Sequence, residues 1–137
     1  MARIFPLKVK VDSYKSNYSC RFGAPRNDGR KHGGVDLAAN VGADVFAVGD
    51  GVVVEAAGGF DKYGTSVIVP PMKRVGDFVE MGELIAKVGK QPGGTQLHLE
   101  MYDGTESGQF LQPGNLPYKR RGNIVDPTPF MDSWQPK

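Results

Sequence analysis

Val35-Asp36-Leu37, Asp44-Val45-Phe46-Ala47-Val48, Gly51-Val52-Val53-Val54-Glu55-Ala56 and Ser66-Val67-Ile68-Val69 are short β-branched runs set off by glycine or asparagine. Runs of this length and spacing are the strands of a sandwich or barrel. The pattern continues through Phe78 to Val88, and Gln96 to Tyr102 alternates with period two, which predicts a last strand. No stretch from Gly34 to Tyr102 repeats its apolar residues at helical intervals. Working outward, Ile4 to Val11 alternates well enough for an edge strand. Ser13 to Arg30 reads as a loop, with Gly23-Ala24-Pro25 and Asn27-Asp28-Gly29 as its turns. Asp103 to Lys137 reads as an irregular wrap, pinned by the packing of Phe130 and Trp134. The expected fold is all-β: a mainly antiparallel β-sandwich or open sheet with a groove, and an irregular C-terminal tail.

Composition agrees. Nineteen glycines and ten prolines in 137 residues amount to about a fifth of the chain, against a usual sum near 12%. Chain breakers at that density exclude a helical bundle or coiled coil. The length suits a single domain over residues 1–137. A formal charge of +2 gives no reason to expect a nucleic-acid or membrane-surface partner, which would show a basic patch or stripe. No segment approaches the roughly 20 apolar residues of a membrane span. The opening residues lack a signal-peptide stretch, so the expectation is cytoplasmic synthesis without an export address. The lone Cys20 excludes an intrachain disulfide and a cysteine-based zinc site, and no histidine lies near it in sequence to make it a nucleophile. Gly49-Asp50 and Gly76-Asp77 each precede a β-branched run, which reads as shared turn chemistry and not as a repeat.

The chain has two histidines, and their surroundings carry the functional reading. His32 precedes Asp36 by four residues in Lys31-His32-Gly33-Gly34-Val35-Asp36-Leu37. An even spacing in extended chain puts both side chains on one face, and the glycines let the backbone adjust between them. His98 lies in Gln96-Leu97-His98-Leu99-Glu100-Met101-Tyr102, where alternation sets Gln96, His98, Glu100 and Tyr102 opposite Leu97, Leu99 and Met101. Two histidines and a carboxylate are three ligands for a tetrahedral zinc with one open position. Spacing alone leaves a second reading open, in which both histidines simply hydrogen-bond to loops. Lys119-Arg120-Arg121 reads as a solvated run on a surface loop.

Order and flanks go further. Ser19-Cys20-Arg21-Phe22-Gly23-Ala24-Pro25-Arg26, His32-Gly33-Gly34-Val35-Asp36-Leu37, Gly42 to Val53, Tyr63-Gly64, Val75 to Ala86 and Leu97-His98-Leu99-Glu100 stand in one order. That series resembles the lysostaphin-like zinc endopeptidases, which cleave peptide cross-links of peptidoglycan. The resemblance covers residues 19–102 as a metallopeptidase core, with 103–137 as the C-terminal wrap. It implies Zn2+ held by His32, Asp36 and His98, and peptidoglycan stems or cross-bridges as substrate. It also exposes two departures. Gln96 stands where the family's final motif has its first, catalytic histidine. The connector Pro70-Pro71-Met72-Lys73-Arg74 replaces a hairpin that carries another. On this reading Gln96 is left as an oxyanion donor, with Glu100 and Tyr102 as substitutes for the missing histidines on the same strand face.

The placement expected is the cell wall or a phage particle, where a wall-degrading protein or tail component would meet peptidoglycan. A second function fits the missing histidines: a weak or inactive peptidase-like fold that serves as a peptidoglycan-binding or assembly module. A third, a biotinyl- or lipoyl-carrier domain suggested by Val75-Gly76-Asp77-Phe78-Val79, lacks a lysine in the required turn.

Overall fold

The computed structural model describes residues 3–54, 73–90 and 94–137. The expected strand Ser66 to Val69, Tyr63-Gly64 and the start of the Pro70–Arg74 connector lie outside them.

Strands dominate. In chain order they are β1 (Val35–Ala38), β2 (Asp44–Phe46), β3 (Gly51–Val52), β4 (Phe78–Val79), β5 (Leu84–Lys87), β6 (Gln96–Leu99), β7 (Met101–Tyr102) and β8 (Ile124–Val125). Among the described residues two one-turn helices accompany them, α1 (Ser13–Ser16) and α2 (Thr128–Met131). Among the described residues the strands pair as β1 with β6, β2 with β5, β3 with β4, and β7 with β8. The last three pairs are antiparallel, and the fold is all-β.

The chain gathers into two compact units. Met1–Lys10, Ala39–Gln96 and Ser133–Lys137 form the first. Its buried side chains include Phe5, Leu7, Val45, Phe46, Val79, Val88 and Trp134. β2 and β5 lie in register from Asp44 opposite Lys87 to Val45 opposite Ala86, then slip so that Phe46 faces Leu84. That bulge inserts one residue and bends the strand. The two Gly-Asp turns do similar work: the Asp77 carboxylate accepts the Arg74 N–H at 2.9 Å and the Asp50 carboxylate that of Met81 at 2.8 Å. Gly76, at φ +94°, supplies the left-handed conformation such a turn needs.

Val11–Ala38 and Leu97–Asp132 form the second unit. Tyr14, Val35, Leu37 and Met131 are its largest fully buried nonproline side chains. The Ser13 hydroxyl ties α1 to β1, donating to the Asp36 carbonyl at 3.0 Å and accepting the Ala38 N–H at 2.9 Å. Tyr14 donates to Asp132 at 2.7 Å, and burial beside that carboxylate pushes its hydroxyl up to about 12.

Several sequence expectations are corrected. Ile4 to Val11 forms no strand; its first residues run beside 46–48 on isolated bonds such as Ile4 N–H to the Val48 carbonyl. Pro6 lacks an N–H, so a regular ladder cannot pass through it. Ser13 to Arg30 is not plain loop, since α1 and two 3-10 turns, Tyr18–Cys20 and Asn27–Gly29, lie within it. The final strand breaks at Glu100 into β6 and β7, which pair with different partners. The tail is less irregular than expected, because β8 and α2 arise in it. Met131 and Trp134 are buried there, whereas Phe130 is half exposed. Two of the three basic residues at 119–121 are buried, for reasons that belong to the site.

Candidate metal centre

His32 enters through its backbone. Its N–H and carbonyl pair with the Ala24 carbonyl and the Gly23 N–H, both at 2.8 Å. The same loop supplies the Arg21 carbonyl 2.9 Å from His32 Nδ1. A carbonyl only accepts, so Nδ1 carries a proton and the other ring nitrogen, Nε2, faces inward. Asp36 sits in the middle of β1, and His98 on the partner strand β6. Gly34 makes their approach possible. A Cβ there would overlap the Leu99 carbonyl oxygen and stand 2.8 Å from His98 Cε1.

Three atoms converge. His32 Nε2 lies 3.3 Å from Asp36 Oδ1 and 3.2 Å from His98 Nδ1, and His98 Nδ1 lies 2.9 Å from Asp36 Oδ1. Ligands about 2.0–2.1 Å from a tetrahedral zinc stand ~3.3 Å apart. The triangle is therefore the size of one face of a zinc tetrahedron, and the donor set, two imidazoles and a carboxylate, suits that ion. Among the described residues this is the one group of three or more His, Cys, Asp or Glu side chains able to hold a metal.

A second layer surrounds it. His98 Nε2 lies 2.9 Å from Glu100 Oε1, the Arg120 Nε donates to the same oxygen at 2.8 Å, and the Tyr102 hydroxyl donates to Oε2 at 2.5 Å. Arg26 Nη2 stands 3.9 Å from Asp36 Oδ2 and donates to the Ser19 carbonyl at 2.8 Å. Arg121 packs over the rings of Tyr102 and Phe110, 5.1 and 4.5 Å from their centroids, and bonds to Asn123 and the Gly108 carbonyl.

Electrostatics follow from these contacts. Burial opposes the charge on Asp36, yet hydrogen bonds from His32 and His98 hold its carboxyl well below the usual range. Burial likewise opposes charge on His98, but Asp36 and Glu100 on either side raise it to about 9. Burial is outweighed at Glu100 too, where His98, Tyr102 and Arg120 keep the carboxyl low. At Cys20 burial and the Asp36 charge push the thiol up, which disfavours the thiolate.

These shifts predict how the metal-free protein responds to pH. The raised His98 contributes stability that is complete below its ordinary 6.5 and lost as pH rises through about 9. The depressed Asp36 contributes above its ordinary 3.8 and loses that as pH falls. In chelator, thermal unfolding between pH 6 and 9.5 should therefore show a decline of about 1 kcal/mol, allowing for solvent screening of a partly exposed imidazole. His98→Ala should flatten it. Stability that rises over that window would contradict the arrangement.

The expected site residues stand as follows. His32, Asp36 and His98 are brought together. Glu100 is half-buried next to them with its oxygens engaged, and Gln96 is the first residue of β6. Arg120, Tyr102 and Arg26 complete the surroundings. Arg120 had no signal in the sequence, where a basic triplet reads as solvated; the burial of Arg120 and Arg121, at 5% and 7% exposure, corrects that reading.

The profile of peptidase family M23 matches residues 30–113, more than half of the chain, and the chain belongs to that family. Among solved structures, it resembles lysostaphin, an antimicrobial peptidase from Staphylococcus simulans, at 23% identity and a TM-score of 0.60, over 97% of this chain and 56% of that one. The lysostaphin catalytic domain matches at 21% identity and 0.57, over 96% of this chain and 92% of the domain. Csd3 of Helicobacter pylori matches at 22% identity and 0.54, over 96% of this chain and 40% of its own length. At these identities the likeness is one of fold. No curated protein matches the sequence.

Proposed function

We propose that this M23 family member is a zinc-dependent endopeptidase that cleaves peptide cross-links of bacterial peptidoglycan, with His32, Asp36 and His98 as the zinc ligands. The observation that carries this reading is the triangle of His32 Nε2, Asp36 Oδ1 and His98 Nδ1, 2.9–3.3 Å on a side. The chemistry that zinc supplies in such a site is activation of water near neutral pH and polarisation of a peptide carbonyl.

The chain's own residues prepare that chemistry. The Arg21 carbonyl fixes the His32 tautomer, and Glu100 accepts the hydrogen bond from the Nε2–H of His98, so that with zinc in place of the Nδ1 proton both imidazoles would turn a lone pair to the ion. Gln96 is proposed to donate its amide to the developing oxyanion. Glu100 is the remaining candidate base, but its contacts with His98, Arg120 and Tyr102 favour an orienting role. Glu100→Gln with full zinc and unchanged turnover would remove it as a base.

One observation favours the second reading, a peptidase-like module that binds wall without cutting it. Both of the chain's histidines belong to the triangle, leaving none for proton transfer. Such assistance is typically worth 10²–10⁴-fold, so slow hydrolysis is expected rather than none. Purified sacculi incubated with zinc-loaded protein should release fragments with new peptide ends, identified by mass spectrometry, and a chelator should stop this. Full zinc occupancy without release from sacculi of several cross-link types would favour the binding module.

A further inference from the structure

Arg120 is buried although its neighbours in sequence promise a solvated loop. A guanidinium stays charged and needs a partner when it leaves water. Here the Nε donates to Glu100 Oε1 at 2.8 Å, and that oxygen is the one 2.9 Å from His98 Nε2. Tyr102 holds the other Glu100 oxygen at 2.5 Å. The carboxylate is thus gripped from two sides while it faces the imidazole whose Nδ1 completes the triangle.

The first motif is shaped around both ends of this relay. A Cβ at Gly34 would strike the His98 ring, as described above. A Cβ at Gly33 would stand 3.2 Å from Arg120 Cγ and 3.7 Å from its Nε. The two glycines between His32 and Asp36 therefore clear room, one for the ligand and one for the arginine behind it.

We propose that Arg120 is a positioning residue of the metal centre: by clamping Glu100 it fixes the His98 ring so that Nδ1 is presented to the ion. The inference rests on the zinc reading above, and it places the anchor of the site beyond the span 30–113 that matches the family. Outer partners of this kind typically tune metal affinity 10–100-fold.

The test is zinc affinity by competition with a chromophoric chelator, with cobalt(II) absorption as a second readout. It uses the full chain, Arg120→Met, Arg120→Lys, Glu100→Gln and the double variant Glu100→Gln/Arg120→Met, each checked for native circular dichroism. Arg120→Met should weaken zinc about 10–100-fold and alter the cobalt band. Arg120→Lys, which restores a charged donor, should recover most of the loss. In the Glu100→Gln background, Arg120→Met should add less than about threefold, because the relay is already cut.

A purely structural arginine would lower the melting temperature and leave zinc affinity within about threefold of the parent; that result, or effects that multiply fully, would overturn the proposal. If Arg120→Met does not fold, Arg120→Gln, which keeps part of the stem and loses the charge, takes its place alone and combined with Glu100→Gln and reads the same coupling. A parent chain that binds no zinc overturns this inference and the zinc reading together. A parent that binds zinc with this coupling but cuts no sacculi sustains the relay and overturns only the hydrolase.

Discussion

His98→Ala is expected to weaken zinc binding more than about 100-fold, beyond what outer-shell changes cost, and to reduce any sacculus hydrolysis to background. The side chain does two things at once. It supplies one corner of the triangle, and it lies between Asp36 and Glu100, 2.9 Å from each. Removing it leaves two carboxylates facing a vacated space, with Arg26 and Arg120 as their remaining cationic neighbours. An unpaired buried polar group costs about 1–3 kcal/mol, so the variant should fold with lowered stability. Calorimetric zinc titration separates the two effects: loss of metal with a retained cooperative transition is the expected outcome. Zinc affinity close to that of the parent would remove His98 from the ligand set.

Gly34→Ala is expected to damage both stability and metal binding, although it adds a single methyl. Its added methyl meets the Leu99 carbonyl oxygen and the His98 imidazole, 2.8–2.9 Å from Cε1 and Nε2. Backbone cannot swing aside as a side chain can, so β1 and β6 must separate. Overpacking of this kind costs typically 1–3 kcal/mol. Because β1 carries Asp36 and β6 carries His98, the same movement opens the triangle, and zinc affinity should fall with stability. Gly33→Ala, whose nearest neighbours are side-chain atoms of Arg120 and Ile124 at 3.2–3.7 Å, should cost less in chemical denaturation. Equal stability for Gly34→Ala and the parent would mean that the strands are not so closely packed.

The trio was legible because its chemistry is local and rare. A chain with two histidines, one four residues before an aspartate across two glycines and the other on an alternating strand, offers few alternatives. The strand class was legible for the same kind of reason, since β-branched runs between glycines admit little else. What alternation could not show was that Glu100 interrupts the last strand: β6 and β7 turn to different partners there, a tertiary choice.

Arg120 was hidden by a similar limit. Lys119-Arg120-Arg121 carries the composition of a solvated turn. Only the fold brings Glu100 to Arg120, and Tyr102, Phe110 and Asn123 to Arg121. The error at Phe130 is the converse. An aromatic ring near the end of the chain reads as an anchor, yet Met131 takes the interior position beside it.

The account turns on whether one zinc ion is held by His32, Asp36 and His98. Zinc-edge X-ray absorption on protein loaded with one equivalent answers this directly. Two imidazoles with the remaining ligands oxygen, at about 2.0–2.1 Å, falling to one imidazole in His98→Ala, is the predicted result. A sulfur ligand, or a spectrum unchanged by His98→Ala, would contradict it.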